Sequence, residues 1–384
     1  MNSTCFVRND IQPILLRGRI VLLRIGVRRM DIAIDLVSPK ERKSKPSDVL
    51  KVPFGTVFSD HMFSMIYSHE HWDNPKIHPY GPLSISPAAL CLHYGQGIFE
   101  GMKAYRRGER ILLFRPDRNF KRLNDSALRM VMPTIDTDFA LDALKQLLRV
   151  ERDWVPELHG SSLYIRPTMI GTQPKLGVKQ SDEYLFYIIL SPVGPYFKEG
   201  FSPVKIYITS EYVRAVRGGT GAAKTMGNYA ASLMAGTKAV AVGYSQVLWL
   251  DALNHKYLEE VGTMNVFVKF DDDLATPPLS GSILAGITRD SVLTLTKDMG
   301  HQVRERPVSI DEILEGIASG KVQEMFGCGT AAIIAPIGSL WYERKEYTVS
   351  NGKTGELTQT LFDQLTGIQS GEREDPYGWV VDVD

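Results

Sequence analysis

Between Pro192 and Pro203 the chain is interrupted by Pro192, Gly194, Pro195, Gly200 and Pro203. Proline fixes φ and removes a backbone donor, and glycine brings the freedom of a turn, so no regular element runs through this stretch. A chain of 384 residues is thereby divided into two parts, each long enough to bury a core of its own. The expected organisation is a small N-terminal domain over 30–192, an interdomain linker over 193–203 and a large C-terminal domain over 204–384, all preceded by an extension over 1–29.

On either side of the break, strands and helices are legible from spacing. Arg110-Ile-Leu-Leu-Phe-Arg115 predicts a strand, and Pro116 then opens a helix on which Phe120, Leu123, Ala127, Leu128 and Val131 recur at helical intervals. A second helix is expected after Asp136 or Thr137 as cap, with Phe139, Leu144, Leu147 and Leu148 on one face. The apolar run Tyr184–Leu190 predicts a buried strand. Past the break, strands are expected at Val204–Thr209, Gln246–Leu250 and Asn265–Phe270, and helices after Gly286 and after Ser309. Ser309 with Glu312 three residues on has the form of a capping box. Helices and strands alternate irregularly, with strands also following strands. This predicts a two-domain α+β or mixed α/β protein rather than a clean doubly wound sheet.

Residues 1–29 are set apart by composition: six arginines, Arg8, Arg17, Arg19, Arg24, Arg28 and Arg29, face one acid, Asp10. Arg-rich and acid-poor is the character of an organelle transit peptide, but the segment is poor in serine. The leading expectation is an upstream start with Met30 as the working initiator and a cytoplasmic protein; an organellar one follows if 1–29 is a transit peptide. Lys+Arg and Asp+Glu both number 44, so no global field recruits nucleic acid or an anionic membrane. No stretch is apolar enough to span a bilayer; Ile20–Leu23 is closed by Arg19 and Arg24. Cys5, Cys91 and Cys328 are isolated, which suits a reducing compartment. His69-Glu70-His71 has no third ligand nearby, so no metal is expected, and His93 is read as a packed or hydrogen-bonded histidine.

The most unusual local sequence is Arg217-Gly-Gly-Thr-Gly-Ala-Ala-Lys224. Small residues allow a ligand close to the backbone. A phosphate-binding Walker loop needs glycine immediately before the lysine, and Ala223 stands there. A lysine sheltered from water loses its proton readily and can attack an aldehyde, so a Schiff-base lysine is one reading and a solvated loop lysine the other. Gly286-Ile287-Thr288 at a helix start presents free N–H groups to an anion, and Gly329-Thr330-Ala331 offers a second small-residue turn with a hydroxyl. Taken with Lys224 they point to a cofactor bearing one phosphate. Glu260 enters an apolar strand, either at an exposed edge or opposite a buried positive partner such as a protonated ring nitrogen.

These segments, in this order, resemble the branched-chain amino acid aminotransferases of the class IV, fold-type IV pyridoxal-phosphate enzymes. The resemblance runs from about Phe54 to the C-terminus. It is carried by Phe54–His61, Tyr94–Ala104, Leu163–Pro167, Lys224–Tyr229, Gln246–Leu250, Glu260–Asn265 and the two small-residue turns. It implies a smaller N-terminal α/β sandwich and a larger C-terminal pseudo-barrel domain that binds the cofactor, pyridoxal 5'-phosphate. Lys224 resembles the lysine that holds this cofactor as a Schiff base and shuttles the substrate Cα proton. Glu260 is similar to the carboxylate on the pyridine nitrogen, and Tyr229 to the tyrosine on the ring hydroxyl. Arg122, the backbone N–H groups of Ile287 and Thr288, and Thr330 match the phosphate cup.

For the substrate, the resemblance implies Tyr94, Tyr164 and Arg166 as pocket residues and Thr263 and Ala331 near the carboxylate. It implies Phe99, Tyr196 and Trp249 along an apolar side-chain pocket. An isopropyl or isobutyl group has no polar handle, so shape and burial select it, and one methylene changes discrimination by only about 1–3 kcal/mol. Leucine, isoleucine and valine are all expected as donors, with 2-oxoglutarate and glutamate as the carrier pair. A homodimer with a shared active site is implied, Gln173–Val178 resembling the loop that reaches the neighbour. Cys328 lacks the second cysteine of the redox pair carried by some animal members, so no thiol switch is expected. The alternatives are a D-amino acid aminotransferase or aminodeoxychorismate lyase of the same fold, a cofactor-binding scaffold without turnover, and a nucleotide-binding protein.

Overall fold

A computed structural model describes residues 13–16, 19–22, 30–196 and 201–384. The chain clusters into two units, Met1–Asp31 and Ile32–Asp384. In the first, the backbone of Pro13–Leu16 pairs antiparallel with Arg19–Leu22. The transit-peptide and upstream-start readings of 1–29 otherwise fall outside the described residues. Everything below concerns the second unit.

Two nine-stranded sheets organise it. The first runs in the order Val380–Asp382, Arg110–Phe114, Met102–Arg107, Ser162–Gly171, Tyr184–Val193, His61–Ser68, His71–Pro79 and Ala33–Ile34, with Gly97–Phe99 paired to the far end of Ser162–Gly171. The Tyr184–Leu190 run alternates in burial: Tyr184, Phe186, Ile188 and Leu190 are buried, whereas Leu185, Tyr187 and Ile189 are half-buried. One face is covered by helices and the other is only partly sheltered. The helices Pro116–Arg129 and Thr137–Val150 supply the cover, and the Phe139 ring lies 6.5 Å from Phe63 in the sheet. Asp136 is the cap of the second helix, accepting from Phe139 N at 2.8 Å.

The helical spacing over-extends the apolar face of the first helix. Phe120, Leu123 and Ala127 are buried, but Leu128 is 54% and Val131 58% exposed. Leu128 follows Ala127 directly and is therefore turned about 100° from it, off the stripe. Val131 lies beyond the helix, which ends at Arg129, and has φ 54°.

The second sheet closes on itself. Leu258–Val261 pairs with Gln246–Leu250, which pairs with Val204–Ile208, then Ile333–Tyr342, Val322–Gly329 and Met264–Phe270, and the last returns to Leu258–Val261. Alternation then separates an inside from an outside. Val266 and Val268 join Ile206, Leu248 and Leu340 in one core, to which the Ile310–Ser319 helix adds Ile310 and Ile313. Phe267 and Phe326 face the other way, against Val292 and Leu295 of the Ile287–Asp298 helix and Leu361 and Leu365 of the Glu356–Gln369 helix. Ala235 and Ala239 of the Met226–Ala241 helix cover Val247 and Trp249. Half of the expected capping box forms: Ser309 Oγ accepts from Glu312 N at 3.1 Å, while the Glu312 carboxylate pairs with Arg306 at 2.8 Å instead of the cap N–H. The last strand, Val380–Asp382, returns to the edge of the first sheet. No described helix is long and apolar enough to cross a membrane.

The sheets meet where Phe99 N donates to Lys224 O at 3.0 Å and Ile98 bridges Thr225. At Gly97 a Cβ would lie 2.6 Å from Met226 Sδ, so a larger residue there would displace the end of the Met226 side chain.

Candidate active site

Lys224 is the last residue but one before the Met226–Ala241 helix, so its position is set by that helix and by the strand Gly97–Phe99. Its backbone N–H donates to Ser126 Oγ at 2.9 Å, and Thr225 Oγ1 donates to Gly97 O at 2.7 Å. Asn228 ties the glycine-rich loop back to the helix, donating to Thr220 O at 2.8 Å and Ala223 O at 2.9 Å. With the backbone pinned on both sides, the half-buried side chain reaches Tyr229, Nζ to hydroxyl 2.8 Å. Nζ also lies 5.2 Å from the centre of the Phe99 ring.

Glu260 occupies the strand Leu258–Val261, one step from a two-residue hairpin in which Gly262 has φ 59° and Val261 pairs with Met264. The left-handed turn needs glycine. Glu260 is 3% exposed. Its Oε1 accepts from Leu284 N at 2.8 Å, and Arg214 lies 3.3 Å away. Burial pushes the Glu260 carboxyl above its usual range, with Arg214 pulling against it. Glu259 beside it accepts from Ser282 Oγ through Oε1, while Glu259 Oε2 and Arg214 Nε are buried without a hydrogen-bond partner among the described residues. Arg214, Ala223, Asn228, Tyr229, Glu260 and Thr263 line a cleft.

At the other end Arg122 is fixed by Glu100, which is fully buried. Nε meets Glu100 Oε1 at 2.7 Å and one terminal nitrogen meets Oε2 at 2.9 Å. Asn119 donates to the same carboxylate at 2.7 Å. Burial raises the Glu100 carboxyl, but Arg122 outweighs it and the group sits below its usual range. The other terminal nitrogen of Arg122 donates to Ala285 O at 3.0 Å, next to Gly286, where the Ile287–Asp298 helix begins. A guanidinium and a helix N-terminus thus converge, an arrangement suited to a phosphate. Gly286 has no room for a Cβ, which would collide with Asn265 Oδ1. Gly286→Ala is expected to break the 3.0 Å bond from Asn265 Nδ2 to Leu284 O and to destabilise by roughly 1–3 kcal/mol. Affinity for a phosphate monoester should fall about tenfold. Thermal unfolding and a binding titration check both; unchanged values would show that the turn yields freely.

The pocket residues expected from sequence are brought together in part. Arg166 lies over Phe99 at 4.7 Å and donates to the Tyr164 hydroxyl at 3.0 Å, leaving its buried Nε without a partner among the described residues. Phe54 packs edge-on against Tyr164 and Tyr196. Thr263 is in the Gly262 hairpin. Thr330 and Ala331 form the turn between Val322–Gly329 and Ile333–Tyr342. Ile287 opens its helix and Thr288 is buried beside it. Tyr94 is 40% exposed, and its hydroxyl donates to Leu176 O in the Gln173–Val178 loop. Trp249 is almost fully buried, its indole N–H donates to Gly262 O at 2.9 Å, and it borders a cavity together with Thr263 and Gly262. His93 is exposed and its Nε2 donates to Pro87 O at 2.8 Å, so of the two readings it is hydrogen-bonded rather than packed. His69 and Glu70 make a tight turn with φ 51° and 64°.

Sequence reasoning missed Glu100, Arg214 and Ser126. Glu100 lies in a block quoted for its family pattern, and a glutamate between Phe99 and Gly101 in an otherwise apolar stretch was itself a signal of a buried partner.

Comparison with known proteins agrees with this geometry. The amino-transferase class IV family model matches residues 97–340. Branched-chain-amino-acid aminotransferase 2 of Bacillus subtilis (strain 168) is 50% identical over 357 residues, 92% of this chain and 98% of the relative. The solved branched-chain amino acid aminotransferase of Escherichia coli superimposes with a TM-score of 0.69 at 28% identity, over 85% of this chain and 99% of that one. The branched-chain amino acid aminotransferase of T.th., complexed with N-(5'-phosphopyridoxyl)-L-glutamate, gives 0.67 at 25% identity, over 83% and 98%. The chain belongs to the class IV aminotransferases, and within them to the branched-chain amino acid aminotransferases. Its mixed α/β architecture with a closed sheet is the fold expected of that class.

Proposed function

We propose that this chain moves the amino group of leucine, isoleucine and valine to 2-oxoglutarate, giving branched-chain 2-oxo acids and L-glutamate, with pyridoxal 5'-phosphate held covalently on Lys224. The reading rests above all on one arrangement: an amine at Lys224, a buried carboxylate at Glu260 and an anion seat at Arg122 and Gly286 in one neighbourhood. The residues fit such a group. Glu260 is buried with its carboxyl raised, so a protonated ring nitrogen would be a welcome partner, and the Gly286 turn is too tight for any side chain. The ligand of the T.th. relative joins a phosphopyridoxyl group to glutamate, in keeping with this cofactor and this carrier.

When bound, pyridoxal phosphate supplies an aldehyde for the amino group and a ring that takes up electrons from the substrate Cα. Lys224 then removes and returns the Cα proton, its amine held by the Tyr229 hydroxyl. Glu260 pairs with the ring nitrogen. Arg122, Thr330 and the N–H groups of Ile287 and Thr288 hold the phosphate. Phe99, Tyr164, Tyr196 and the Arg166 stem enclose the alkyl chain, while the Arg166 guanidinium takes the γ-carboxylate of glutamate, and Thr263 and Ala331 flank the α-carboxylate. The working molecule is a homodimer. Leu176 and Val178 are 65% and 83% exposed, and Tyr94, bonded to this loop, is offered with it to the neighbour's pocket. The two sheets are read as the cores of the two domains, joined by 193–203, with Val380–Asp382 of the C-terminal part completing the edge of the first. A reducing cytoplasm suits Cys91 and Cys328, both free thiols. Burial pushes the Cys328 thiol well up, which makes it a poor thiolate and no switch.

The test is a spectroscopic titration of purified protein. L-leucine, L-isoleucine and L-valine are each expected to convert the bound aldehyde form to the amine form, with D-alanine inert. Glu260→Gln should slow the conversion roughly 100-fold or more. Conversion by D-alanine and not by L-leucine would replace this reading with a D-amino acid aminotransferase; bound cofactor with no conversion would make the chain a scaffold.

A further inference from the structure

Lys103 has no part in the reaction as derived so far. It lies on the strand Met102–Arg107, directly opposite Tyr164 in the antiparallel pairing. Residues paired across strands share a face, and Arg166, two positions along, shares it too. Lys103 is only 8% exposed. Its ammonium has three donors, and the hydrogen bond it makes among the described residues is to Ala331 O at 2.7 Å. Burial pulls its pKa down to about 8, with no carboxylate offsetting the effect among the described residues, and leaves it mostly protonated at neutral pH. A buried cation without an acid is costly, and its retention calls for an anion that arrives later.

We propose that Lys103 is a positioning residue for the substrate α-carboxylate: from the first sheet it holds the Ala331 carbonyl and lends the Thr330–Ala331 turn a positive charge. The inference rests on the proposed function, which puts the α-carboxylate at that turn. By holding the carbonyl from behind, Lys103 fixes the orientation of the turn's peptide groups. Its charge favours a carboxylate there through surroundings that screen it poorly. Amino acid and oxo acid carry the same α-carboxylate, so both half-reactions benefit alike.

The experiment compares two non-reacting probes, 4-methylpentanoate and its neutral amide, bound to the holoenzyme and followed by calorimetry. Lys103→Met is expected to cut the preference for carboxylate over amide roughly tenfold, and to raise KM for L-leucine and for 2-oxoglutarate by a similar factor with kcat little changed. Lys103→Arg should restore the preference. Replacing an unpaired buried cation with an apolar side chain should leave the thermal midpoint unchanged or higher. A purely structural lysine would lower the midpoint and weaken both probes equally, and either that or an unchanged ratio overturns the proposal. Should Lys103→Met fail to fold, Lys103→Arg decides: a lost carboxylate preference there, in a folded protein, counts against a role for the charge. A wild-type protein that does not turn over L-leucine would overturn the functional reading itself, and the probe ratio would still be read on its own.

Discussion

Lys224→Ala is expected to abolish transamination, with kcat down by at least about 10⁴-fold, because one side chain is asked both to hold the cofactor and to move the Cα proton. General acid–base catalysis alone is worth about 10²–10⁴-fold, and losing the covalent attachment adds to that. The fold should survive. The Lys224 side chain is half-buried and its hydrogen bond among the described residues goes to Tyr229, whereas the contacts that shape the loop are backbone ones, to Ser126 and Phe99. Borohydride reduction of the wild type followed by peptide mapping gives the complementary measurement: label on residue 224. Label elsewhere, or a Lys224→Ala protein that still converts L-leucine at a measurable rate, would remove Lys224 from the centre of the reaction.

Why the lysine could be singled out from sequence, and other parts of the site could not, is a matter of range. The loop before Lys224 is conspicuous because glycine and alanine crowd it within eight residues, and the Gly286 helix start is conspicuous because a helix N-terminus follows a small residue. Both are local signals. Glu100 and Arg122 are 22 residues apart, in the link between two strands and on a helix, and Arg214 and Glu260 are further apart still; no spacing rule announces such pairs. Periodicity carried the helices well but judged their faces coarsely. It placed Leu128 inside when a single step of about 100° turns it out, and it took Tyr184–Leu190 as uniformly buried when every second residue is half-open. The closing of the second sheet was implied by the family resemblance but could not be read from the spacing of the strands themselves. It depends on Leu258–Val261 pairing on both of its edges, and edge pairing is set by the whole ring rather than by the strand's own residues. Trp249 shows the same limit: it packs under the Met226–Ala241 helix and also borders a cavity beside Thr263, and neither neighbour is announced by the strand's own residues.

The largest expected effect on stability comes from Glu100. It is fully buried and receives two hydrogen bonds from Arg122 and one from Asn119. Glu100→Gln would keep the volume but strand the Arg122 guanidinium in the interior, and breaking a buried pair from one side costs about 3–5 kcal/mol. A second substitution separates the charge from the packing: Glu100→Gln with Arg122→Gln should unfold at a higher temperature than Glu100→Gln alone, because no unpaired charge remains. The cofactor adds a further arm. A phosphate seated at Arg122 would re-pair part of the stranded charge, so adding pyridoxal phosphate should raise the thermal midpoint of Glu100→Gln by more than that of the wild type, provided binding persists. The pH dependence has a definite sign. The folded Glu100 carboxyl lies below its ordinary value of 4.5, so the contribution is complete above that value and is lost as pH falls through the lowered folded one. If Glu100→Gln melted with the wild type at pH 7, the pair would not be what fixes Arg122, and the phosphate seat would have to owe its shape to the Gly286 turn alone.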